Sequence, residues 1–140
     1  MALKRWYLAG SIALLFTGAA HLYGEFGTGP GDAAYQGIET IMRSYTVDRA
    51  SGFTLYEVME GWGLYFGLLC LILGSVNLGV LRIAGPEGRG LRFMAGINTA
   101  ACVVMFAATA WYRFAPPLIC FAVTLVCFGM ALRLGGDDEE

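Results

Sequence analysis

One histidine, three glutamates and one arginine carry most of the chemistry open to this chain. His21, Glu25, Glu57, Glu60 and Arg113 stand at the ends of long apolar segments, with Tyr23, Trp62, Trp111 and Tyr112 beside them. Imidazole is the usual protein nitrogen for haem-type metals, so His21 could be an axial ligand to a haem or a chlorophyll-type pigment. One histidine fills one axial position, and two only in a dimer. On a helix, residues four apart stack on one face, so His21 and Glu25 are also spaced to ligate a metal together with Glu60. A third chemistry is hydrogen bonding. His21, Glu25 or Glu60, beside Arg113 and beneath an aromatic rim of Trp62 and Trp111, could hold the carbonyl or hydroxyl of a quinone, sterol or similar lipophilic ligand.

Each of these residues also has a purely structural role open to it. Thr54 and Glu57 have the T-x-x-E spacing of a capping box, with Phe53 and Val58 placed as its hydrophobic staple, which accounts for Glu57 without catalysis. Glu60 lies one turn further on and is suited to an ion pair with Arg113 on a neighbouring helix. A lone histidine at an interface commonly donates to a carbonyl or carboxylate and does nothing further. No hydrolase constellation is present, and the glycine-rich run Gly24–Gly31 opens no lysine-bearing helix, so it is not a phosphate loop. The balance favours a protein that is not an enzyme.

The elements that must position these groups are apolar. Of 140 residues, 57% are hydrophobic and 14% charged, and mean hydropathy is +0.61. Four segments, 6–23, 55–81, 91–112 and 117–133, are each long enough to cross a bilayer. About 20 apolar residues span ~30 Å of hydrocarbon, and a helix satisfies its own backbone there. The expectation is a single all-α domain over 1–140: an antiparallel bundle of four transmembrane helices with a short extracytoplasmic amphipathic helix. Lys4-Arg5 before an apolar run and Gly18-Ala19-Ala20 could pass for a signal peptide; the segment is read instead as a retained first span.

Basic residues set the orientation. Lys4, Arg5, Arg82, Arg89, Arg92 and Arg133 fall at one set of helix ends, and Arg43, Arg49 and Arg113 at the other. Both termini are therefore expected in the cytoplasm of a multi-pass plasma (inner) membrane protein, with the acidic tail, 134–140, solvated. The net charge of −2 and scattered basic groups exclude nucleic acid as a partner. Cys70, Cys102, Cys120 and Cys127 all lie in spans without a Cys-x-x-Cys, and read as small hydrophobes. No span has a charge at its centre, which disfavours transport around a membrane carboxylate.

Packing signals complete the pattern. In the first span, Ala9, Ala13 and Thr17 form a row continued by His21 and Glu25, a face expected to meet protein. Gly63, Gly67 and Gly74 line the second span as its close-packed face. Asn77 and Asn98 reach the same depth on adjacent spans and can hydrogen-bond as helix-packing glue. The long outer loop, 24–54, opens with a glycine-rich run that cannot hold a helix. An amphipathic helix follows, capped by Asp32. Ala34, Ile38, Ile41, Met42 and Tyr45 fall on one face and Gln36, Glu39, Thr40 and Arg43 on the other; it is expected to lid the bundle.

The run Glu60-Gly61-Trp62-Gly63-Leu64-Tyr65-Phe66-Gly67-Leu68, continued to Asn77-Leu78, resembles the second-helix signature of bacterial four-helix membrane proteins, and the layout is similar to DoxX-like proteins. His21 late in the first helix, Gly63, Gly67 and Asn77 carry the match. The resemblance implies a four-helix membrane fold and brings no catalytic role. The resulting functional expectation is a small non-enzymatic membrane subunit that packs, through glycine and alanine faces, against other membrane proteins or a second copy. The alternative is a binder of a lipophilic ligand, quinone, haem or pigment at the outer layer.

Overall fold

The computed structural model describes residues 2–26, 31, 33–47, 49–84, 88–113 and 115–134. They form five α-helices: α1 (Ala2–Phe26), α2 (Ala33–Ser44), α3 (Leu55–Ile83), α4 (Arg89–Trp111) and α5 (Ala115–Leu134). The expected cap at Asp32, half of the glycine-rich run (27–30) and residues 135–140 of the tail lie outside the described residues.

Three helices, α3, α4 and α5, are long and apolar enough to cross a membrane. Four were expected. The first segment does form a helix, of 25 residues, but it is not in this group among the described residues. Trp6, Tyr7, Gly10, Ser11, Thr17, Gly18, His21 and Tyr23 dilute its aliphatic content. The three apolar helices turn most of their surface outward, with 22%, 22% and 28% of their spanning windows buried. Leu69, Ile72, Val104 and Ile119 are exposed, whereas Ser11, Asn77, Asn98 and Thr124 are buried. Apolar outside and polar inside is the arrangement that lipid, not water, stabilises. It marks a membrane-associated helical protein.

The chain divides into two compact units, one of Met1–Thr17 with Cys70–Glu140 and one of Gly18–Leu69; α1 and α3 contribute to both. The first unit has a core of Leu3, Tyr7 and Leu14 from α1, Leu91, Ala95 and Cys102 from α4, and Phe128 and Ala131 from α5, with Leu73 and Val80 of α3 against it. The Tyr7 ring meets Phe128 edge-on, with centroids 5.5 Å apart. Gly10 makes this possible, because a Cβ there would lie 2.9 Å from the Phe128 ring. The expected protein-facing row is only half-buried at Ala9 and Ala13; the buried face centres on Tyr7, Gly10, Ser11 and Leu14. Helix α1 is apolar around most of its circumference, so periodicity could not locate the contact face. In α5, Pro116 and Pro117 sit in the first turn, where a missing N–H costs no helical bond.

In the second unit α1 runs on through Gly24, Glu25 and Phe26, where coil was expected. A single glycine costs ~1 kcal/mol in a helix, too little to stop one whose next residue is docked. Beyond α2 a short hairpin-like turn leads into α3: Val47 N donates to Phe53 O at 2.9 Å, and Leu55 N to Tyr45 O at 2.8 Å. The capping box forms as expected. Thr54 N and Oγ1 donate to Glu57 Oε2 at 2.8 and 2.9 Å, and Glu57 N donates back to Thr54 Oγ1 at 3.3 Å.

Candidate functional site

In the first unit, polar groups are closed on one another. Asn77 Nδ2 donates to Asn98 Oδ1 at 3.2 Å, and Asn98 Nδ2 donates back to Asn77 Oδ1 at 3.1 Å. The same Asn77 oxygen accepts from the Tyr7 phenol at 2.8 Å, and Asn98 Nδ2 also donates to Met94 O at 2.8 Å. The expected asparagine pair is thus a three-residue network joining α1, α3 and α4. Tyr7, the member not anticipated, was detectable: a phenol near the same end of an apolar span needs a partner. Hydroxyls elsewhere return to their own helices, as Ser11 does to Tyr7 O and Thr124 to Cys120 O, both at 2.8 Å.

Trp111 and Arg113 also belong to this unit. Trp111 ends α4 and is 81% exposed. Arg113 follows in a left-handed conformation, φ 57°, with its N–H donating to Ala110 O at 3.2 Å. That conformation at a helix C-terminus captures an otherwise orphaned carbonyl.

The remaining candidates gather in the second unit. The carboxyl carbon of Glu25 lies 2.9 Å from the position a Cβ would take on Gly63, and a Cβ on Gly67 would run into Leu22. These two glycines are therefore filled from within by α1, so the close-packed face read for α3 meets α1 at Gly63 and Gly67. His21 lies a turn below Glu25 on α1, its ring edge-on to Phe66 with centroids 4.8 Å apart. Its Nε2 is buried and has no hydrogen-bond partner among the described residues. A nitrogen so enclosed against α3 offers no open face to a porphyrin iron, so haem ligation gains nothing from this geometry. The described residues also hold no group of three or more metal-ligating side chains that could bind an ion.

Glu25 and Glu60 instead line a cavity of about 260 Å³ with Glu39, Tyr35, Ile38 and Met42 of α2 and Tyr56 and Met59 of α3. The face α2 turns to this cavity is Tyr35–Ile38–Glu39–Met42; Glu39 and Met42 are half-buried there, whereas Tyr35 and Ile38, like Ile41 and Tyr45, remain exposed. Sequence partition into apolar and polar faces missed this because Glu39 and Arg43 take part in the docking. Arg43 pairs with Glu39 at 2.9 Å and lays its guanidinium 3.6 Å from the centre of the Tyr56 ring. The hydrogen bond to Glu39 pushes Arg43 above its ordinary pKa. A cation over an aromatic face is attracted by the ring quadrupole, and the pairing tethers α2 to α3. Glu39 and Arg43 fall on the polar face of α2 by periodicity, yet their four-residue spacing suits them to pair with each other. Trp62, 71% exposed, lies with Phe53, Gly61 and Tyr65 along a separate open groove of about 680 Å³. In comparisons with known proteins, no family model matches the chain, and neither a curated protein nor a solved structure matches it.

Proposed function

We propose that this chain is a small non-enzymatic integral membrane subunit of a bacterial inner membrane, assembled with other membrane proteins or with itself. In this reading α1 is a fourth span beside α3, α4 and α5, as the DoxX-like layout suggests. Both termini are cytoplasmic and α2 lies on the outer side. The observation that carries the reading is the use of polar groups in the first unit. Tyr7, Asn77 and Asn98 bond across three helices, and the buried hydroxyls of Ser11, Thr17, Thr109 and Thr124 donate to the backbone of their own helices. This use of buried polar groups for packing supports a structural role. The charge asymmetry has support as well: Leu3 lies 3.0 Å from a Cβ position on Gly88, which brings Lys4 and Arg5 to the end that carries Arg89 and Arg92.

A second reading, a binder of a lipophilic ligand at the outer layer, is favoured by the cavity lined by Glu25, Glu39 and Glu60 beside two tyrosines. Purification in mild detergent at native expression, with mass spectrometry and an absorption spectrum, separates the two. Stoichiometric larger partners support the subunit. A small molecule retained by the wild type and lost in Glu60→Gln establishes the binder, and a chain that stays alone and empty removes both.

A further inference from the structure

A groove of about 560 Å³ runs along the first unit beneath two arginines. Arg89 and Arg92 stand at its head, Phe93, Gly96 and Ala100 form its wall along α4, and Leu132 of α5 closes the far side. Residues 89, 92, 93, 96 and 100 recur at three- and four-residue steps, so they form one stripe of the helix. At 1.5 Å per residue the stripe is roughly 16 Å long, about the depth of one leaflet of a ~30 Å hydrocarbon core. The wall is small at its centre: a Cβ on Gly96 would meet only Leu132, at 3.7 Å. No acidic residue occupies the first turn of α4 and its N-cap Gly88 supplies no side-chain hydrogen bond, so the cationic head is not neutralised from within that turn.

We infer that this groove holds an anionic phospholipid, its phosphate between Arg89 and Arg92 and an acyl chain along Gly96 and Ala100. The positive-inside tendency accounts for arginines at this end but not for the one-leaflet apolar channel under them. Basic pockets between membrane helices are suited to anionic headgroups. A free phosphate would leave the channel unfilled, and an apolar partner helix would cover two cations without compensating them. Both arginines already take part in interactions of their own, and a guanidinium has several donors in a fork that leaves capacity for a phosphate besides. The inference depends on the chain lying in lipid, and not on the cavity of the second unit.

The test is native mass spectrometry of the full chain in detergent, titrated with dioleoylphosphatidylglycerol, dioleoylphosphatidylcholine or inorganic phosphate. One bound phosphatidylglycerol is expected, with phosphatidylcholine much weaker. Arg89→Gln/Arg92→Gln should weaken it roughly 30-fold, and Lys4→Gln/Arg5→Gln, an equal loss of charge at the same end, should do so far less. Ala100→Leu fills the channel and should weaken phosphatidylglycerol while both arginines remain, which guards against a misfolded arginine variant. Equal affinity for the two lipids, competition by inorganic phosphate at comparable concentration, or unchanged binding in the arginine and Ala100 variants would each overturn the inference. Failure of the chain to enter membranes at all would instead strike the membrane reading beneath it.

Discussion

The Tyr7 phenol donates to Asn77 Oδ1 at 2.8 Å across 70 residues of sequence, and that oxygen also accepts from Asn98. One amide therefore joins three helices. In lipid such bonds contribute about 0.6–2 kcal/mol each. Tyr7→Phe is expected to lower stability by that amount, since Asn77 keeps Asn98. Asn77→Leu should cost more, because it strands both Tyr7 and Asn98 in a water-free interior. Reversible unfolding in mixed micelles measures both, and a Tyr7–Asn98 double-mutant cycle reports their coupling.

The glycines of α3 should separate by what faces them. At Gly74 a Cβ would meet Leu15 at 2.7 Å with backbone N at 3.1 Å, whereas at Gly63 it meets the end of the flexible Glu25 side chain and at Gly79 nothing. Gly74→Ala is expected to cost about 1–3 kcal/mol through overpacking. Gly63→Ala should cost less, and Gly79→Ala should gain up to about 1 kcal/mol of helix propensity. The same unfolding assay ranks them; equal effects at all three positions would contradict the packing described.

His21 gives an unusual expectation. Its buried, unpaired Nε2 is a liability of about 1–3 kcal/mol where the residue serves packing alone. His21→Leu is then expected to leave stability unchanged or raise it, measured by thermal unfolding in detergent. A marked loss, together with release of a bound molecule seen by mass spectrometry, would assign the nitrogen to a ligand instead.

Removing the cap should act locally. Thr54→Ala deletes both the acceptor for Glu57 N and a donor to its carboxylate, at about 1 kcal/mol. Hydrogen exchange should quicken at the first turn of α3 and remain unchanged around Asn77.

Topology is directly measurable. With the native cysteines replaced, Ser51→Cys is expected to react with an impermeant maleimide added to intact cells, and Lys4→Cys only after the membrane is opened. Labelling of both from outside, or the reverse order, would reject the proposed orientation.

The long unbroken apolar runs dictated helices and an apolar environment. A run of that length satisfies its own backbone in lipid only as a helix, a closed barrel needing short alternating segments instead. Local patterns with short reach were equally readable: the Thr54–Glu57 box and the asparagine pair both depend on a spacing or a shared depth. What needed the folded molecule was the choice among equivalent faces. On α1, where nearly every side is apolar, only packing reveals that Tyr7 and Ser11 face inward and Ala9 and Ala13 lie at the flank. The glycines of α3 could not show whether their space was filled from inside or from outside; Leu15, Leu22 and Glu25 fill it. On α2, periodicity put Glu39 and Arg43 on the polar face, and only the fold supplied the Tyr56 ring for the guanidinium. Long-range partners decide these matters, and no local periodicity encodes them.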